Sequence, residues 1–372
     1  MPPSPAAIDH TTGSIVDVAA ATAEELLDGA AAADDPARGV REETLRALAA
    51  RGLVSAAVPV EQGGSGASER AAAEVEEHLA GADAATWFVL TQHRTPQRLT
   101  GEPREGERTG PAAARYGDAL ARGTALGGIA VAHLRRPGPP LVRAEPVPGG
   151  ADGTSGGYRF SGRSDWCTGW GLVDLVLVAA VTHDGDVVFA LIPAVPRPGL
   201  YASDPLPLAV MGGTRTVALD LDDVVIAPDE VAAVLDAGEW ARRDAGTVVD
   251  TKPATLGLLR RVVAETERIG VERDRPAVVD AAQALAAVAD PLRERAYALR
   301  AEGGPADERI ALRGQIAELT VRAANTLVAA RGGSALLTTS HEQRWAREAT
   351  FHLVQAQTDA VRAAQLAAFT GR

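Results

Sequence analysis

The sequence predicts an α+β protein in which helices precede and follow a compact antiparallel β-domain. Three observations predict it. Ala, Leu and Glu recur at helical spacing through the first third of the chain. Short β-branched runs separated by Gly, Asp and Pro occupy the middle. Helical spacing then returns and continues to the C-terminus. The expected domains are 1–124 (helical), 125–230 (β) and 231–372 (helical). A chain of 372 residues is long for one core and suggests two or three packed units.

The elements follow in order. Residues 1–14 lack the basic start and apolar core of a signal peptide and are expected to form a loose terminus. Helices are expected from Ile15 to Leu53, where Leu45, Leu48 and Ala49 share a face and Gly52 fits a C-cap. VSAAVPVEQGGSGAS reads as a short extended piece and a Gly-rich loop. The stretch from Glu69 to His93 is helical, with Asp83 as the cap of a second helix. TGEPREGERTG is a loop, and a short helix covers Ala112 to Ala121. GGIAVAHL and PPLVRAEPVP read as strands separated by an Arg-Arg-Pro-Gly-Pro-Pro turn, and residues 150–157 as a tight loop. Asp184-Gly185 signals a hairpin. After Glu230 the pattern is helical, with breaks at 302–308 and 330–340.

The chain is acidic, with 37 basic and 49 acidic residues and a formal charge of −12. That balance argues against nucleic-acid and anionic-membrane partners. No apolar run approaches a membrane span. The single cysteine, Cys167, excludes an intrachain disulfide and favours the cytoplasm. Beside Trp166 and Thr168 it is either a nucleophile or a small residue filling a turn. No metal site is expected.

Five partial motifs occur in order along nearly the whole chain. The first is Leu48-x-x-x-Gly52-Leu53 followed by Val58-Pro59-x-x-x-Gly63-Gly64-x-Gly66. The second runs through the β-domain: Gly162-x-x-x-Trp166-x-Thr168-Gly169, then Met211-Gly-Gly-Thr214, then Asp223-Val-Val-x-x-Pro228. The others are Glu272-Arg273, Gly332-Gly333, and Gln343-Arg344-Trp345-x-Arg347-Glu348-Ala349. Together they resemble the acyl-CoA dehydrogenase superfamily of flavoproteins. The resemblance implies an N-terminal helical domain, a barrel-like middle β-domain and a C-terminal four-helix bundle. It implies FAD as cofactor, with FMN as a diffusible cosubstrate as the alternative. It implies a homodimer or homotetramer with FAD shared across an interface.

By the same resemblance, Trp166 packs on the flavin and Thr168 donates to it. A Trp suits a flat ring, and a short hydroxyl at a strand end reaches a ring atom. Arg273 falls where the family places an arginine on the FAD of a neighbouring subunit. Gly332 and Gly333 fall where the chain approaches the cofactor closely.

Three positions depart from the family. Its Thr-Glu-Pro-x-x-Gly-Ser-Asp strand is replaced by Ile129 to Pro137, so His133 is the candidate replacement donor and Arg135 or Arg136 the candidate phosphate ligand. Acyl-CoA dehydrogenation needs a carboxylate to take the α-proton; the family's Glu position is Ala356 here. In members that place the Glu at the first C-terminal helix, Thr251 is the equivalent and Asp250 the nearest carboxylate. His352, one helical turn before Ala356, is the candidate proton donor or acceptor.

Three functions remain open on this reading. One is a flavin oxidoreductase acting on an acyl thioester or related small molecule, with an electron-transfer partner. A second is a monooxygenase of the same fold that uses reduced flavin and dioxygen, supplied by a flavin reductase. The third is a non-catalytic partner subunit.

Overall fold

In the computed structural model, residues 14–27, 29, 30, 35, 38–149 and 156–371 are described. The expected loose terminus and most of the 150–157 loop lie outside them. Among the described residues, six α-helices come first: α1 (Ile15–Leu27), α2 (Glu42–Ala50), α3 (Glu69–Ala82), α4 (Ala84–Gln92), α5 (Arg94–Thr100) and α6 (Pro111–Ala121). Their limits follow from the sequence. The Ser68 hydroxyl accepts from Ala71 N and opens α3, and the Asp83 carboxylate accepts from Thr86 N and opens α4. Gly52, at φ 74°, closes α2. The expected extended piece after it is instead a set of turns with a 3-10 turn at Val60–Gln62. It folds back so tightly that a Cβ on Gly64 would lie 2.2 Å from Val58 O.

Among the described residues, nine strands form one sheet: β1 (Arg108–Thr109), β2 (Gly127–Ala130), β3 (Val142–Pro146), β4 (Tyr158–Cys167), β5 (Leu175–Thr182), β6 (Asp186–Pro193), β7 (Leu200–Ala202), β8 (Val217–Ile226) and β9 (Val231–Asp236). Their order is β1-β9-β6-β5-β3-β4-β8-β7, with β2 also on β5. The hairpin at Gly185 forms as expected. Two expectations change. The sheet is mixed rather than antiparallel, because β2 and β3 both run parallel to β5. Gly127–Ala130 pairs with the first half of β5 and Arg143–Ala144 with its end, so the Arg-Pro turn interrupts one direction of travel instead of reversing it. Val231–Asp236, expected to be helical, is a strand on β6 and β1. A short buried apolar run has no period that separates helix from strand.

β5 is buried over Leu175–Ala180 because both faces of the sheet are covered. Val176, Val178 and Ala180 face Phe160, Leu219, Leu221 and Val224 inside the curled sheet. Leu175, Leu177 and Ala179 pack with Leu99, Ala112 and Leu120 of α5 and α6. Gly162 sits at a register shift in β4 with φ 137°, and a Cβ there would lie 1.9 Å from Leu141 O.

Six helices follow: α7 (Ala237–Val248), α8 (Pro253–Glu272), α9 (Pro276–Glu302), α10 (Ala306–Arg331), α11 (His341–Val354) and α12 (Asp359–Thr370). Leu258, Val262, Ile316, Ala323, Leu327 and Trp345 form their core. The two helical regions meet where α3 crosses α8. A Cβ on Gly257 would lie 2.1 Å from Glu77 O, so the backbones touch. Beside that crossing the Glu77 carboxylate is fully buried and accepts from Arg260 (2.8 Å), Arg293 (2.9 Å) and the Tyr297 hydroxyl. Arg344 of α11, also buried, donates to Ala82 O at 2.9 Å while Trp345 Nε1 donates to Gly81 O at 3.1 Å. Together they cap the C-terminal end of α3, where a cation complements the helix dipole. Among the described residues no helix is long and apolar enough to cross a membrane, and no cluster of three or more His, Cys, Asp or Glu is placed to hold a metal.

Candidate functional site

A cleft of about 1980 Å³ opens between the sheet and the helices on both sides of it. Ligand pockets usually span roughly 300–1,000 Å³, so this one has room for two molecules. Trp87, Phe88 and Phe351 contribute aromatic wall. Phe88 and Phe351 meet edge to face with centroids 4.8 Å apart.

Trp166 and Thr168, at the end of β4, both line the cleft. Trp166 is 46% exposed and presents its ring to the opening. Thr168 is buried, and its Oγ1 lies 3.0 Å from Thr216 Oγ1. Thr216 Oγ1 is 2.8 Å from Thr214 Oγ1, which donates to Met211 O at 2.7 Å. Each hydroxyl has one proton. The carbonyl takes that of Thr214, so Thr216 donates to Thr214 and Thr168 donates to Thr216. In this state Thr168 offers the cleft an acceptor, the reverse of the donor expected from the family. Donation to a ligand requires it to release Thr216. The relay rests on a rigid turn. Met211 and Arg215 adopt left-handed φ of 64° and 49° around Gly212–Thr214, and Gly169 N donates to Thr214 O at 3.0 Å.

Cys167, between these residues, points into the sheet core, and burial pushes its thiol up to about 12. It is a small core residue at the end of β4 rather than a turn filler, and not an activated nucleophile.

His133 does not serve as the replacement donor. It lies inside the fold behind the cleft wall, with Nδ1 3.1 Å from Ser164 Oγ and Nε2 3.0 Å from Ala179 O. Burial pushes its pKa down to about 4, so it is neutral. His352 also lies behind the wall. Its ring packs on Trp87 and Phe351, at centroid distances of 6.1 and 5.5 Å, and neither nitrogen has a hydrogen-bond partner. Burial holds it near 4, offset only by the Gln355 amide nearby. The residues of that turn that do reach the cleft are Phe351, Val354, Gln355, Ala356 and Gln357. The α11 face that carries His352 turns into the core.

Ala356 lines the cleft at φ 47°. Arg313 fixes the turn from behind: it is buried and donates to Val248 O, and to Gln355 O at 2.7 Å. Asp250 also lines the cleft, but Arg309 holds it through both oxygens at 2.7 and 2.6 Å. Lys252, two residues on, lines the same wall and donates from Nζ to Thr247 O at 2.6 Å. Sequence reasoning passed over Lys252 and Thr216, since neither belongs to a motif and their partners are remote or main-chain.

Arg273, Gly332 and Gly333 do not join the cleft. They form an exposed corner where α8 and α10 end, with Arg273 donating to Arg331 O at 3.2 Å. A Cβ on either glycine would meet nothing within 4 Å; the backbone favours glycine at Gly332, with φ 83°, and no neighbour within the chain requires it at Gly333.

The helices, curled mixed sheet and following helix bundle, with a cleft at their junction, match solved structures over almost their full length. Butyryl-CoA dehydrogenase from Megasphaera elsdenii aligns with a TM-score of 0.74 at 17% identity, covering 98% of this chain and 99% of that one. The acyl-CoA dehydrogenase N-terminal domain family matches residues 13–97. This is the acyl-CoA dehydrogenase fold. Dibenzothiophene monooxygenase (TdsC) from Paenibacillus sp. A11-2, also solved bound to FMN, shares it at 22% identity, with a TM-score of 0.73 and coverage of 96% and 97%. The FAD complex of PigA does so at 18% identity, with a TM-score of 0.72 and coverage of 98% and 99%. No curated protein sequence matches the chain.

Proposed function

We propose that this chain is a flavin-dependent oxidoreductase whose cleft holds a flavin ring against Trp166 and Thr168. The observation that carries the reading is the pairing of that half-exposed Trp with a directed hydroxyl relay in a cleft large enough for cofactor and substrate. The FAD and FMN complexes of proteins with this fold support it. The residues present fit the ring: a flat apolar cover and hydroxyls at a strand end.

Bound flavin supplies two-electron redox chemistry and, when reduced, reactivity towards dioxygen. The chain's own contributions are positional. Trp166 covers the ring. Thr168 fixes its edge with a hydroxyl whose proton is directed by Thr216. Arg313 holds the 355–357 turn against the substrate side. Phe88 and Phe351 exclude water. FAD bound in the cleft would need its phosphates held by other groups, and the exposed Arg273, Gly332 and Gly333 would meet them only across an interface with a second copy.

Of the specific reactions, oxygenation with reduced flavin and dioxygen is the one these residues support best. A thioester oxidation needs a free carboxylate base, and the position of the family base is Ala356. The thioester reading keeps one point in its favour, since Asp250 does line the cleft. Absorbance spectra test both. Purified protein is expected to bind FAD or FMN, to show no bleaching with an anaerobic acyl-CoA panel, and to consume oxygen when a reductase supplies reduced flavin. Bleaching by an acyl-CoA would overturn the oxygenase reading, and failure to bind either flavin would overturn both.

A further inference from the structure

One end of the cleft carries more positive charge than its surroundings require. Arg135, Lys252, Arg300 and Arg309 line it, and Arg313 lies directly behind. Three of these five are neutralised. Arg135 forks onto Asp244 with two contacts of 2.7 Å, Arg300 meets Glu69 at 2.6 Å, and Arg309 forks onto Asp250. Lys252 and Arg313 donate only to main-chain carbonyls, so five cations face three carboxylates in a protein of net charge −12.

The two unneutralised cations differ. Arg313 is buried and spends both terminal nitrogens on the carbonyls of Val248, Gln355 and Ala356. Lys252 is half-buried, faces the cleft and spends one hydrogen on Thr247 O. Its ammonium retains two further donors. It also stands at the N-cap of the 20-residue α8, whose first N–H groups favour negative charge. On the adjacent residue, the Thr251 hydroxyl is buried without a partner. A desolvated cation with no counter-ion raises the free energy of the empty cleft, and a ligand anion would remove that penalty.

We infer that Lys252 anchors an oxyanion, a carboxylate or a phosphate, on the molecule that occupies the cleft. This rests on the cleft being the reaction site but not on which reaction runs there. The oxyanion has two candidate sources, an acid group on the substrate or the phosphate of the flavin. The reacting part of the ligand then lies between Lys252 and the 355–357 turn, which Arg313 braces.

The charges around Lys252 give a second observable. Burial, aided by Arg313, Arg135 and Arg300 and opposed by Asp250, pushes its pKa down to about 8. An arriving anion favours the charged form, so binding above pH 8 takes up a proton.

The test titrates the protein, with and without flavin, using glutarate, neutral glutaramide and inorganic phosphate, followed by tryptophan fluorescence and calorimetry. Riboflavin and FMN form a second series. The expected result is that glutarate or phosphate binds, glutaramide does not, Lys252→Met weakens the anion about tenfold or more, and Lys252→Arg retains it. Calorimetry in buffers of different ionisation enthalpy is expected to show proton uptake at pH 8.5 in the unaltered protein, which needs no variant to fold. If the flavin is the source, Lys252→Met weakens FMN and leaves riboflavin unchanged. If the substrate is, both flavins bind the variant as before. No anion binding by the unaltered protein, or equal binding of glutarate, phosphate and FMN by Lys252→Met, would overturn the inference. Anion binding by a protein that takes up no flavin would leave it standing and remove the flavin reading instead.

Discussion

Replacing Thr216 with valine removes the oxygen that holds the Thr168 proton. Thr214 keeps its own donation to Met211 O, and valine nearly preserves the shape of threonine. The loss is therefore two buried neutral hydrogen bonds, from Thr168 to Thr216 at 3.0 Å and from Thr216 to Thr214 at 2.8 Å, with the Thr168 hydroxyl left without its acceptor. At about 0.5–1.5 kcal/mol for each bond, flavin-free protein is expected to lose about 1–3 kcal/mol of stability. Flavin affinity should respond in the opposite sense to ordinary damage. In the unaltered protein, Thr168 must break its bond to Thr216 before it donates to a ligand. In Thr216→Val nothing has to be broken. Affinity is expected to match the unaltered protein or to tighten by up to about fivefold, the equivalent of 1 kcal/mol. Thr168→Val loses the contact and is expected to weaken flavin about fivefold. Urea denaturation read by tryptophan fluorescence gives the first quantity, and flavin titration gives the second. If Thr216→Val weakens flavin as much as Thr168→Val, or leaves flavin-free stability unchanged, the direction assigned to the relay is wrong.

Three further outcomes are expected. Glu77→Ala leaves Arg260 and Arg293 without their buried partner and should cost about 3–5 kcal/mol, seen as a lower denaturation midpoint at unchanged slope; a shift below about 1 kcal/mol would contradict the burial argument. His352 titrates near 4 when folded against 6.5 when unfolded, so between these values the unfolded chain binds more protons and stability falls as pH falls. Full loss, below pH 4, amounts to about 3 kcal/mol for this ring, and His352→Phe should flatten the stability–pH curve in that window; an unchanged curve would remove His352 from the acid response. Ala356→Glu adds a carboxylate where the chain already carries a Cβ at φ 47°, so it should keep its flavin, change stability by less than about 1 kcal/mol, and still fail to oxidise acyl-CoA; anaerobic bleaching would restore the thioester reading.

The helix–sheet–helix order was legible because helical and strand periods differ and Gly, Asp and Pro mark the turns. What sequence could not carry was partnership. β2 and β3 read as strands, but only the fold shows that both travel with β5. Val231–Asp236 has no period at all. Trp166 and Thr168 were legible as candidates because they lie in one contiguous motif at the end of β4. His133 and His352 were misjudged for a related reason: spacing places a residue on an element but does not say whether its face turns to a cleft or to the core. Lys252 was invisible as a site because its meaning lies in a missing carboxylate, and that is a fact about neighbours.

The contact between Gly257 and the Glu77 carbonyl bears on how this architecture adapts. A Cβ on Gly81 would likewise approach Gly257 O to 2.7 Å, so neither glycine accepts a larger residue without prising the two helices apart. The spacing of the N-terminal and C-terminal blocks is thus welded at one point. The cleft can then change size without parting those helices through lining residues away from the contact, such as 100–102 and 208–211.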